Sequence, residues 1–152
     1  MSALNPELIR IRSAAPEDRE FLWSLHLETM RDYVHKTWGW DDIWQRERFD
    51  ENFDPARLQI IEYEGRAIGY ISVERPGNEI FLAAIEVAPE FQNNGVGTYL
   101  VRNLMEDSDK LNLPARLLVL KVNRARRLYE RMGFERTGET PTHYVMRREP
   151  VR

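Results

Sequence analysis

Residues 90–104 read EFQNNGVGTYLVRNL, and they decide how the rest of the chain is to be folded. Three amides, Gln92, Asn93 and Asn94, and two glycines, Gly95 and Gly97, lead into Val96, Leu100, Val101, Leu104 and Met105, which recur at helical spacing. Glycine and asparagine weaken regular structure, so at a helix start they need a reason. In front of them EIFLAAIEVA (79–88) reads as a strand. Behind the helix, Pro114 ends the connection and ARLLVLKV (115–122) is an almost unbroken apolar run, as in a strand buried on both faces. Strand, helix and buried strand make a β-α-β unit with its two strands parallel. The glycines then stand where the first N–H groups of a helix lack partners, a place that suits a phosphate or diphosphate. A glycine pair at such a junction also serves simply as a turn, and the stretch alone does not choose between the two.

Working outward, LIRIRSA (8–14) alternates apolar residues with arginine and reads as a short strand. SAAPEDREFLWSLHLETMRDYV (13–34) starts a helix at Pro16, Glu17 and Asp18 and carries the stripe Phe21, Leu22, Leu25 and Met30. TWGWDDIWQRERFDENF (37–53) restarts a helix after Gly39, with Asp41 or Asp42 as cap. LQIIEYEG (58–65), RAIGYISVER (66–75) and EIFLAAIEVA form an antiparallel meander through the turns EGR and RPGN. RARRLYERM (124–132) is a short helix closed by Gly133, and GFERTG with HYVMRRE forms a final strand pair. The order is β-α-α-β-β-β-α-β-α-β-β, an α/β chain with a mixed, mostly antiparallel sheet flanked by helices, read as a single domain over 1–152.

Composition narrows the function. Across 152 residues, 42% hydrophobic content supplies a real core, and a net charge of −3 announces neither a nucleic acid nor a membrane as partner. No run is long and apolar enough for a signal peptide or membrane span, so the expectation is a soluble, cytoplasmic protein. The absence of cysteine removes disulfides, thiolate metal sites and a cysteine nucleophile. His26, His35 and His143 have no metal-ligand spacing, and no metal is expected. A Walker A loop would need lysine after its glycine, but Gly97 is followed by Thr98 and Tyr99. A dinucleotide fold would open with its glycine loop, whereas this one follows a meander.

AIEVAPEFQNNGVGTYLV (84–101) resembles the acetyl-coenzyme A motif of the GNAT superfamily of N-acetyltransferases, [QR]-x-x-G-x-[GA] between the fourth strand and third helix. NRARRLYERMGFE (123–135) resembles that family's second segment, N-x-x-A-x-x-x-Y-x-x-x-G-F. The likeness runs from Leu8 to Arg148, in pattern only over the first 60 residues. It implies a GNAT-type fold whose parallel fourth and fifth strands splay apart. It also implies direct transfer from acetyl-coenzyme A to an amine of a small molecule or peptide, and leaves a homodimer open. The diphosphate is expected on the loop Gln92, Asn93, Asn94, Gly95, Val96, Gly97 and Thr98. The pantetheine arm is expected on main-chain groups of Ile85, Glu86 and Val87, with Asn123, Ala125 and Tyr129 also at the cofactor. One departure is visible: Asn123 precedes Tyr129 by six positions where the family has seven, while Ala125 keeps its spacing of four.

The chemistry asks for a neutral amine, a stabilised oxyanion and a proton for the departing thiolate. Tyr129 is the expected acid, since a phenol of pKa about 10 can donate to a thiolate of about 8.5, and an N–H near Val87 is the expected oxyanion donor. Glu79 and Glu86 are the candidate bases. Strict alternation places them on opposite faces, Glu79 with Phe81 and Ala83, positions that the resemblance implies look toward the acceptor, and a bulge would reverse that choice. Ordered water in place of a dedicated base is the third option. RDYVHKTWGWDD (31–42) gathers Tyr33, Trp38, Trp40 and the aspartates Asp41 and Asp42, which suit an ammonium group as well as they suit sealing the helices to the sheet; His143 is expected in the same cleft. With no cysteine and no serine elbow, no acyl-enzyme is expected. The alternative activity is an acyl-coenzyme A binding domain of the same fold without turnover.

Overall fold

A computed structural model describes residues 4–151. Its elements are β1 (Ile9–Ser13), α1 (Arg19–Trp38), α2 (Asp42–Asn52), β2 (Gln59–Tyr63), β3 (Arg66–Glu74), β4 (Ile80–Val87), α3 (Val96–Leu111), β5 (Ala115–Leu120), α4 (Arg126–Arg131), β6 (Glu135–Glu139) and β7 (His143–Arg148). Their order is the one the sequence predicts, and local chemistry sets their ends. Asp41 caps α2 by accepting the Trp44 N–H at 2.9 Å. Asn112 ends α3 in the left-handed region, two residues before Pro114. The start of α1 differs from expectation: Pro16–Asp18 is a separate 3-10 turn. Asp18 accepts the Ala15 N–H at 2.8 Å and both terminal nitrogens of Arg12 at 2.9 Å, and this holds its carboxyl below the usual range.

The strands form one sheet in the order β1-β2-β3-β4-β5-β7-β6, and only β4 and β5 run parallel. α3 lays Val96, Leu100, Val101 and Leu104 on one face, against Ile68, Ile80, Leu82 and Leu117, while Arg102, Glu106 and Lys110 face solvent. Tyr129 and Phe134 join the same core. α1 covers the opposite face, over β3 and β4, and buries Leu22 and Leu25.

Two irregularities create the site. First, Ser72 pairs with Ala84 and Val73 with Leu82, so Ala83 is an extra residue in β4. The bulge shifts the alternation by one: Ile80, Leu82, Ile85 and Val87 meet the α3 core, whereas Phe81, Ala84 and Glu86 turn to the α1 face. Second, β4 and β5 pair only at Ile80–Ala115, Phe81–Arg116 and Leu82–Leu117. Beyond that point β4 stays with β3 to Val87 and β5 stays with β7 to Leu120. The parallel strands therefore splay, leaving a gap in mid-sheet. Close approach of β3 to β4 is possible because residue 69 is glycine; a Cβ there would overlap the Glu86 carbonyl oxygen.

Candidate active site

The loop between β4 and α3 turns on two left-handed residues, Asn93 at φ 63° and Gly95 at φ 92°. The first helical bond of α3 runs from the Tyr99 N–H to the Gly95 carbonyl at 2.9 Å. The N–H groups of Val96, Gly97 and Thr98 thus precede the ladder and find no acceptor among the described residues. The space in front of Gly95 is open, and no atom lies within 4 Å of where its Cβ would be. At Gly97 the missing Cβ would sit 3.2 Å from a Leu128 methyl, so this glycine also lets α3 approach α4. Gln92 is a brace. Its amide donates to the Val87 carbonyl at 2.9 Å and accepts from Arg124 at 3.2 Å, and its own N–H is taken by Pro89. The Val96 side chain is buried in the core, so this residue offers the loop only its main chain.

At the gap, the Ala88 N–H donates to the Ile68 carbonyl at 2.8 Å, which fixes the phase of the β3–β4 ladder. Glu86 pairs with Tyr70, and the ladder phase turns its main-chain groups toward β3. Ile85 and Val87 aim theirs at the gap, and of these the Val87 carbonyl already accepts from Gln92. Tyr129 is buried in the core beside Phe134, ring centroids 6.0 Å apart, and burial pushes its phenol up to about 12. Asn123 uses its side-chain oxygen to accept the Ala125 N–H at 2.9 Å, which orders the turn into α4.

The candidate bases separate sharply. Glu79, which was expected to look toward the acceptor, is held by Arg116 through contacts at 2.9–3.2 Å, and the guanidinium keeps its carboxyl below the usual range. Arg116 lies 4.5 Å from the Phe81 ring centroid, which completes a structural clamp. Glu79→Gln is therefore expected to leave turnover within about twofold of wild type while lowering the melting temperature. The stability Glu79 contributes is present above the unfolded carboxyl pKa and is lost as pH falls through its depressed folded value, so the two proteins' melting curves should converge in acid. Equal melting at neutral pH, or a large loss of rate, would contradict this assignment.

Glu86 is different: its side chain is 7% exposed and surrounded by donors. Thr29 Oγ1 lies 2.7 Å from Oε1, and Tyr70 OH and His26 Nδ1 lie 3.0 and 3.3 Å from Oε2. Burial and the Glu86 charge raise the Tyr70 phenol well above its ordinary value, so it stays a donor. Thr29 also lies 2.9 Å from the Leu25 carbonyl; its single proton goes to the shorter, charge-assisted contact. His26, Thr29 and Tyr70 were missed in the sequence reading. The three-residue spacing of His26 and Thr29 put them on one helix face, but nothing local paired them with β3 or β4.

Beside this cluster, α1 and α2 enclose a cleft of about 300 Å³ lined by Leu22, His26, Arg48, Phe49, Phe53 and Tyr70, among others. The expected acceptor residues divide around it. Trp40 packs on Trp23 and His26, at centroid distances of 6.3 and 6.2 Å. Trp38, 61% exposed, meets His143 at 6.1 Å, so those two do come together. Desolvation lowers the His143 pKa, and Tyr33 is half-buried on α1. The two aspartates serve the fold, Asp41 as the α2 cap and Asp42 as partner of Trp40 Nε1 and Arg31. Among the described residues no cluster is placed to hold a metal, and no helix is long and apolar enough to cross a membrane.

A family model for the acetyltransferase (GNAT) family matches residues 19–134. The chain belongs to the GNAT acetyltransferase family. The mycothiol acetyltransferase of Thermomonospora curvata is 30% identical over 138 residues, 86% of this chain and 46% of that protein, so the chain spans about half the length of this relative. Solved GNAT structures share the fold. The PaiA N-acetyltransferase of Thermoplasma acidophilum in complex with coenzyme A superposes with a TM-score of 0.75 at 17% identity, over 93% of this chain and 98% of that one. Naa20 of Chaetomium thermophilum, in complex with a bisubstrate analogue, gives 0.63 at 22% identity, over 93% and 86%. The splayed β4–β5 pair is thus the GNAT arrangement expected from the two sequence motifs.

Proposed function

We propose that this GNAT protein acetylates an amine, with acetyl-coenzyme A as donor. The observation that carries the reading is the parting of β4 and β5 after Leu82, next to a helix start whose first amides lack partners. The residues fit the donor: Gly95 leaves open space for a diphosphate in front of the Val96–Thr98 amides, and Ile85 and Val87 present main-chain groups along the gap for the pantetheine arm. Acetyl-coenzyme A supplies the activated acyl thioester. The Val87 N–H is the oxyanion donor, and the Tyr129 hydroxyl donates toward the sulfur. The acceptor occupies the α1–α2 cleft. Its volume lies at the small end for ligand pockets and favours a small-molecule amine, with Trp38 and His143 at the edge of the same face.

Calorimetry with acetyl-coenzyme A, followed by thiol release across a panel of amines, tests the proposal. Saturable binding with amine-dependent release is the expected result. Binding without release from any amine would instead assign the alternative, an acyl-coenzyme A binding domain. Absence of binding would overturn both.

A further inference from the structure

We propose that His26 takes the proton from the acceptor amine, with Glu86 behind it as a positioning residue. The inference rests on the acetyltransferase reading, but its argument is local to α1, β3 and β4. Glu86 is the buried member of the cluster and does not line the α1–α2 cleft, whereas His26 and Tyr70 do. Three of the roughly four lone-pair positions on its oxygens already face Thr29, Tyr70 and His26, which leaves Glu86 little capacity to receive a proton from the cleft. His26 has the opposite situation. With Nδ1–H directed at Glu86 Oε2, the imidazole keeps the tautomer in which Nε2 carries the lone pair, and its side chain is 27% exposed, on the cleft wall. A carboxylate that holds a histidine in one tautomer and balances its positive charge is the arrangement general-base catalysis needs.

The step is a simple proton transfer. The N–H bond of the bound ammonium breaks, its electron pair stays on nitrogen, and the proton bonds to Nε2; the imidazolium then releases it to water at the open side of the cleft. The groups facing His26 are Glu86 from β4, Tyr70 from β3 and Arg48 from α2, which shares the cleft wall. Trp23 and Trp40 flank it with uncharged rings, which Arg46 and Arg31 contact in turn. Among the described residues, Glu86 is the anion in direct contact with the ring.

Two measurements on the full chain test this. The first is ¹⁵N-histidine NMR of the protein without ligands, with the His26 signals assigned by His26→Gln. The Nδ1–H tautomer is expected in wild type and its loss in Glu86→Gln; an Nε2–H tautomer in wild type would overturn the proposal whether or not an acceptor is known. The second is kcat/KM against pH with whichever panel amine supports thiol release. His26→Gln should lose about a hundredfold or more together with the acid limb of the profile, and Glu86→Gln should keep the limb with a smaller loss. If His26→Gln keeps both rate and limb while Glu86→Gln loses them, the base is Glu86 and the proposal falls, with acetyl transfer itself intact. Failure of every amine would instead count against the acetyltransferase reading and leave the NMR result to decide the tautomer.

Discussion

Tyr129→Phe is expected to lower turnover about a hundredfold and to leave acetyl-coenzyme A affinity within about twofold of wild type. The substitution is nearly isosteric, and the phenol makes no hydrogen bond among the described residues, its raised pKa arising from burial alone. The fold therefore has little to lose. The size of the rate effect follows from what the hydroxyl can do. With burial pushing the phenol up to about 12 and a thiol near 8.5, complete proton transfer to the leaving thiolate would be uphill by about 5 kcal/mol. The proposed role of Tyr129 is thus chiefly that of a hydrogen-bond donor to charge developing on sulfur, a contribution typically worth 10²–10³ in rate. Because that charge exists only in the transition state, the loss falls on kcat and not on binding. Single-turnover thiol release combined with calorimetry checks it; an unchanged rate would remove Tyr129 from the chemistry.

Gly95→Val is expected to abolish detectable cofactor binding, weakening it by at least about two orders of magnitude, and to destabilise the protein as well. The side chain would enter the open space assigned to the diphosphate. The same residue sits at φ 92°, where a β-branched side chain is strained by an amount on the order of 1–3 kcal/mol. Gly95→Asn separates the two effects, since asparagine tolerates the left-handed region. It should recover most of the stability while still obstructing the diphosphate. Thermal melts and calorimetry on both variants decide the matter; wild-type affinity in either would refute the loop assignment.

The parts of this molecule that were legible in the sequence are those fixed by neighbours along the chain. Asp41 as a cap, the Val96–Leu104 stripe and the glycine-led helix start are local chemistry, and each lies where it was expected. The parts that were not legible depend on a partner across the sheet. The bulge at Ala83 arises from how β4 registers on β3, and it reverses the alternation on which the choice between Glu79 and Glu86 rested. Arg116 decides the fate of Glu79 from 37 positions away, and Glu86 meets His26 across 60. Gln92 illustrates a subtler limit. Its position in the glycine motif was read as a contact to the cofactor, yet its side chain ties the strand end to the residue leading into α4. The spacing of a motif gives the place of a residue but not which of its groups are already engaged.

The unpartnered amides at the start of α3, together with the gap between β4 and β5, are proposed to hold the acyl carrier. Amide-resolved NMR of the ¹⁵N-labelled protein titrated with coenzyme A is the decisive experiment. The largest shifts, saturating together, are expected on the N–H groups of Gly95, Val96, Gly97 and Thr98, with Ile85 and Val87 following and Glu86 moving little. Saturable binding that leaves these amides unmoved, with the shifts gathered on another face, would contradict it.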